Sequence, residues 1–138
     1  MALLFEDDYK ILKESGLDYE EDSSQRFLLI KNFPLPSNLY AYEGKNLEFV
    51  EVIWIVPPNY NTSGGDMFWV NPALTRTDGK IIPAAFGFGG SDSRSFKGKE
   101  YCRWSRHWLP ESWKPKADNI QKVLDRIDWA LRNPDTNK

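Results

Sequence analysis

Apolar residues recur at helical spacing near the start of the chain, with Phe5, Tyr9 and Leu12 on one row and Leu4, Asp8 and Ile11 beside them. Gly16 stands where a helix C-cap would, so the pattern predicts a short N-terminal helix. After an acidic turn from Asp18 to Ser24, the run Arg26-Phe27-Leu28-Leu29-Ile30 predicts a strand, closed by Pro34-Leu35-Pro36. A second strand is expected over Leu39 to Tyr42, followed by a turn at Gly44-Lys45-Asn46. The apolar stretch Leu47 to Val56, ended by Pro57-Pro58, carries the strongest strand signal and reads as a central strand. Met67-Phe68-Trp69-Val70 predicts a short aromatic strand that Pro72 ends. From Thr75 to Lys99 the periodicity disappears among glycines and serines, which predicts a long loop. Ile120, Val123, Leu124, Ile127 and Leu131 then form one helical face, with Asp118 and Gln121 at capping-box spacing and Asn133-Pro134 as the stop. Helix, antiparallel strands, long loop and helix in that order imply an α+β fold with its helices on one face of a sheet.

Composition narrows the classes. With 138 residues, 41% hydrophobic and 28% charged, the chain has the size and balance of one globular domain. Its longest apolar runs are too short to span a bilayer, and the acidic start Met1 to Asp8 has neither the basic nor the apolar region of a secretion signal. The cytoplasm is therefore the expected compartment. A single cysteine and a single histidine exclude an internal disulfide and a structural zinc site built on about four such ligands. A net charge of −2 offers no footprint for nucleic acid. Locally, Lys97, Lys99, Arg103, Arg106, Lys114 and Lys116 surround His107 against Glu100 and Glu111. A positive face there would steer an acidic partner or depress a thiol pKa, although charge alone favours a plain solvated surface.

Candidate chemistry gathers between Gly98 and Trp113. Cys102 is the only thiol and follows the loop-like stretch, with Arg103, Arg106 and His107 close enough in sequence to favour a thiolate. A lone cysteine is also a common packing residue. Three residues on, Trp104-Ser105-Arg106-His107-Trp108 offers a second nucleophile. In an extended chain Ser105 and His107 point to the same side, as a histidine base activating a hydroxyl requires, whereas in a helix they diverge. No acidic third member is assigned, and Asp66 and Asp78, in turns, are too scattered to suggest a metal pair. Trp104, Trp108 and Trp113 are explained most simply by packing. The stretch Phe86 to Ser93 is Gly-rich but follows neither a phosphate-loop nor a nucleophile-elbow order, and reads as a mobile loop.

Taken in order, these signals resemble the ubiquitin-conjugating superfamily across nearly the whole chain. Val56-Pro57-Pro58-Asn59-Tyr60 is similar to its proline-rich turn, Gly98-Lys99-Glu100-Tyr101-Cys102 to the approach to its catalytic cysteine, and Trp113-Lys114-Pro115 followed by Ile120 to Pro134 to its C-terminal portion. Asp66 to Pro72 together with Arg103 to His107 resembles the bacterial branch called prokaryotic family E. The resemblance implies one ubiquitin-conjugating-like domain over 1–138, with an N-terminal helix, a four-stranded antiparallel meander, a flexible active-site loop over about 75–99, a C-terminal helix packed on the sheet and a tail over 134–138. It implies a transferase that accepts a ubiquitin-like modifier from an activating enzyme as an acyl-enzyme and passes it to an amine. The acyl group would sit as a thioester on Cys102 or as an oxyester on Ser105, with His107 as the third catalytic candidate and Arg103, Trp104 and Arg106 as binding candidates. The modifier and the activating enzyme are the implied partners, with a deconjugating peptidase of the same pathway, and no metal, organic cofactor, nucleic acid or membrane. The His-Pro-Asn tripeptide of the superfamily is absent, and its nearest echo, Asn71-Pro72, lies 30 residues upstream of Cys102. The oxyanion-stabilising asparagine is thus unassigned, and the alternative is an inactive domain that binds a ubiquitin-like protein or its activating enzyme.

Overall fold

Glu6–Glu14 forms helix α1, and its end shows why Gly16 is there: Gly16 N–H donates to Lys13 O and Leu17 N–H to Leu12 O, with Gly16 at φ +72°. This crossed pair of bonds closes a helix through a left-handed residue, which glycine adopts without a Cβ penalty. The computed structural model describes residues 2–108 and 112–136. After α1 come β1 (Tyr19–Asp22), β2 (Phe27–Pro34), β3 (Tyr40–Tyr42), β4 (Lys45–Asn46), β5 (Phe49–Ile55), β6 (Phe68–Asn71), β7 (Thr75–Arg76), β8 (Arg94–Phe96), β9 (Lys99–Trp104) and helix α2 (Ile120–Arg132). A six-stranded antiparallel sheet runs β1-β2-β5-β6-β9-β8, and a small sheet β4-β3-β7 stands apart from it.

The sheet buries both faces, which explains why β2 and β5 are apolar without alternation. Leu28, Ile30, Val52, Trp54, Val70 and Trp104 pack against Leu12 of α1 and Val123, Ile127 and Leu131 of α2 in the main core. On the other face, Phe27, Leu29, Ile53, Trp69, Phe96 and Tyr101 make a second cluster. Phe96 on the edge strand β8 meets Phe27 on β2 edge-on, with ring centroids 6.0 Å apart, so the sheet curls over this face. The buried carboxylate of Asp8 joins the two helices: it accepts Phe5 N–H at the start of α1, Ile120 N–H at the start of α2, and the Tyr60 hydroxyl. A carboxylate at two helix N-termini meets otherwise unpaired N–H groups.

The α+β architecture read from the sequence holds, and the sheet is wider than four strands. Tyr19–Asp22, expected as a turn, is the edge strand β1: backbone pairing to β2 places it there, and its half-buried acidic side chains suit an edge. The expected loop over 75–99 contains β7 and β8, and Lys97 and Gly98, both left-handed at φ +50° and +80°, form the tight turn from β8 into β9. The strand expected at Leu39 to Tyr42 forms as β3 but joins the small sheet. Helix α2 is capped by Asn119, whose side chain accepts Gln121 N–H at 2.9 Å, and not by Asp118, which instead accepts Lys114 N–H at 2.7 Å. Of the tail expected over 134–138, residues 137 and 138 lie outside the described residues. Among the described residues no helix is long and apolar enough to cross a membrane.

Candidate active site

Strands β6 and β9 pair in antiparallel register, Phe68 opposite Trp104 and Val70 opposite Cys102. The pairing continues past both strand ends, because Met67 N–H donates to Arg106 O at 3.0 Å. On the other side, Ser105 N–H donates to Ala84 O and Phe86 N–H to Arg103 O, each at 2.9 Å. The segment after β9 is therefore held straight between two neighbours. Ser105 and His107, two positions apart, then share one side as an extended chain requires.

The register also brings the loop before β6 to this point. Asp66 lies 41 residues from His107 in sequence, yet its Oδ2 is 2.6 Å from His107 Nδ1, and Ser105 Oγ is 3.0 Å from His107 Nε2. A carboxylate only accepts, so Nδ1 carries a proton, and in the neutral ring Nε2 then presents its lone pair to the Ser105 hydroxyl. Asp66 Oδ1 is fixed by the backbone N–H groups of Met67 at 3.1 Å and Trp108 at 3.3 Å. Met67 is left-handed at φ +58°, a conformation uncommon outside glycine and asparagine, and that turn in the backbone sets Asp66 against the histidine. The result is a hydroxyl, an imidazole and a carboxylate in one hydrogen-bonded line, able to move a proton from Ser105 to His107 while Asp66 orients and balances the ring. The line is open to solvent, with side-chain exposures of 62% for His107 and 43% for Asp66.

Cys102 occupies a different setting. It belongs to β9, not to the end of a loop, and its side chain is wholly buried in the main core. Burial, with a smaller contribution from Glu100, pushes the thiol up to about 11. Even residues of β9 face the helices, so Cys102 and Trp104 point inward together, and Trp104 stacks on Phe68 with centroids 5.4 Å apart.

Arg106 also turns inward and is fully buried. Its guanidinium lies 4.7 Å from the Trp104 ring centre, donates to Pro83 O at 2.9 Å and Ser105 O at 3.2 Å, and leaves Nε and Nη2 without a partner among the described residues. Desolvation lowers its pKa. Its two carbonyl bonds pin the Ser105 peptide to the neighbouring loop. Arg103 covers the Phe86 ring at 4.7 Å and faces Asp92 at 3.5 Å. Of the basic residues in this stretch, Arg106 is buried, Lys97 pairs with Glu20, and Lys99 pairs with Glu51 at 2.8 Å. Glu111 lies outside the described residues.

Beside Asp66 a groove of about 420 Å³ runs between Gly64, Gly65, Trp108 and Trp113. Arg126 of α2 closes its floor, with the Trp108 and Trp113 ring centres 5.6 and 5.4 Å from the guanidinium and a hydrogen bond to Ser112. Gly64 is required here, because a Cβ would come within 2.2 Å of the Trp113 ring. Asn71 does not face this site; its amide donates to Glu100 O at 2.8 Å. Among the described residues no group of three or more His, Cys, Asp or Glu side chains could hold a metal ion.

Asp66 is the site residue that sequence reasoning missed. No sequence signal pointed to it: position 66 falls opposite 106 only through the antiparallel pairing of its following strand with β9. Comparison with known proteins adds the lineage. No curated protein and no solved structure matches the chain. The model of prokaryotic E2 family E matches residues 4–134, nearly the full length, and the chain belongs to that family of ubiquitin-conjugating-like proteins.

Proposed function

We propose that the chain is an acyl-transferring conjugating protein in which Ser105 holds the C-terminal acyl group of a ubiquitin-like modifier as an oxyester. The observation that carries this reading is the Asp66–His107–Ser105 line at an open surface, beside a cysteine sealed in the core. Ser105 Oγ attacks the thioester carbonyl presented by the activating enzyme, and its proton passes to His107 Nε2. The carbon–sulfur bond breaks, and the departing thiolate takes the proton. An acceptor amine then attacks the oxyester, loses a proton to His107, and displaces Ser105 Oγ, which recovers it. Membership of the E2 family supports the activating enzyme and the modifier as partners, a deconjugating peptidase is the expected third member of the pathway, and the cytoplasm is the expected site of action.

The test mixes the protein with a cognate activating enzyme, modifier and ATP and resolves adducts on gels. The proposal expects an adduct that survives thiol, is cleaved by hydroxylamine, is lost in Ser105→Ala and is retained in Cys102→Ala. A thiol-sensitive adduct lost only in Cys102→Ala would return the nucleophile to the cysteine. One observation favours a second reading, a domain that docks the modifier or the activating enzyme without chemistry: the Ser105 N–H and the Asn71 amide are both engaged elsewhere, so neither is free to stabilise an oxyanion. That reading expects no adduct at all and calorimetric binding that survives replacement of Cys102, Ser105 and His107 together.

A further inference from the structure

The proton relay is complete within this one chain: nothing in the line from Asp66 to Ser105 waits for a partner to supply it. The line also borders solvent, with His107 and Asp66 exposed and Ser105 half-buried beside them, so water reaches a group attached to Ser105 Oγ. From these two facts we propose that the chain by itself is a slow serine hydrolase of activated carboxylic esters, with short-chain aryl esters as the substrate class. This rests on Ser105 being the nucleophile, as proposed above, but requires neither modifier nor activating enzyme.

The steps balance without any other reactant than water. Ser105 Oγ–H gives its proton to His107 Nε2 as Oγ bonds to the ester carbonyl carbon. The carbon–oxygen bond to the aryl group breaks, the aryloxide leaves as the anion, and His107 Nε2 gives the Ser105 proton to solvent water, which returns the imidazole to its neutral form. Water then attacks acyl-Ser105, passing a proton to His107 Nε2, and the acyl–Oγ bond breaks to release the carboxylic acid as Oγ recovers the proton.

The structure also selects for a good leaving group. The N–H of a serine nucleophile is a common oxyanion donor, but here Ser105 N–H is spent on Ala84 O at 2.9 Å, and the nearest family-like asparagine is tied to Glu100. Loss of one such donor costs roughly 10²- to 10³-fold in rate elsewhere. An ester with a poor leaving group is then out of reach, whereas an aryloxide leaves easily and allows acylation. Deacylation has no such help, since the acyl-serine is an ordinary alkyl ester. The kinetic signature is therefore a burst of one aryloxide per chain followed by much slower turnover.

The experiment is stopped-flow release of p-nitrophenol from p-nitrophenyl acetate by the purified chain at pH 8, with peptide mass spectrometry on the acid-quenched protein. The expected result is a burst approaching one equivalent, an acetyl group mapped to Ser105, no burst in Ser105→Ala, and a burst slowed roughly 10²-fold in His107→Ala. An acetyl group found only on lysines or the amino terminus, or a burst that persists in Ser105→Ala, overturns the proposal. Site mapping on the unsubstituted protein gives the answer even if a variant misfolds. A Ser105–modifier adduct without an ester burst sinks the hydrolase and leaves the transferase standing; an ester burst without a modifier adduct does the reverse.

Discussion

The burial of Cys102 makes a quantitative forecast about its reactivity. At pH 8 a free thiol near pKa 8.5 is roughly one-quarter thiolate, whereas one pushed up to about 11 is thiolate in roughly one molecule per thousand. A reagent must also reach the sulfur, which has no exposed surface and lies on a strand flanked on both sides by β6 and β8. Access therefore requires opening the sheet, an event as costly as global unfolding. For a domain stable by about 5 kcal/mol, the open fraction is on the order of 10⁻⁴. In the open state the thiol regains its ordinary pKa, so the two penalties do not multiply, and opening governs the rate. The assay is the reaction with Ellman's reagent at pH 8. The expected outcome is a rate about 10⁴-fold below that of the same chain in urea, where one thiol per chain should react promptly. Prompt release of one equivalent from the native protein would refute the reasoning and reopen the thioester route.

The same burial links to alkaline stability. A thiol raised above its ordinary value of about 8.5 in the folded chain contributes stability that is intact below that value and lost as pH rises through about 11, a contribution on the order of 2 kcal/mol. Tyr40, Tyr60 and Tyr101 are likewise raised by burial, with Asp8 reinforcing Tyr60 and Glu51 reinforcing Tyr101, so urea midpoints measured from pH 8 to 10.5 should fall steadily; a flat profile would count against the buried hydroxyls. Gly64→Ala drives a methyl into the Trp113 ring, whose indole N–H is fixed to Asn61 O at 2.9 Å, and should destabilise by about 1–3 kcal/mol with a shift in tryptophan fluorescence. An unchanged urea midpoint would mean that Trp113 moves freely.

Of the site, the sequence showed the pair but not the triad. Ser105 and His107 share a side because any extended chain alternates, and that follows from two residue numbers. Asp66 joins them only because β6 and β9 pair with Phe68 opposite Trp104, and a register between segments more than thirty residues apart is a property of the assembled sheet. The same limit hid β1 and β8, short edge strands whose pairing is made by backbone hydrogen bonds and not by an apolar pattern.

What the sequence by itself determined is what local physics reads: both helices, including the glycine stop of α1, the central strand β5, and the α+β class that their order implies. Hydrophobic period and backbone sterics act over a few residues, so those elements are written where they occur. What only the tertiary structure decided is which nucleophile meets solvent. Cys102 and Ser105 are three residues apart, and one ends in the core while the other ends beside a histidine at the surface. The alternation of a strand makes such neighbours face opposite ways, but the packed helices decide which way is inside.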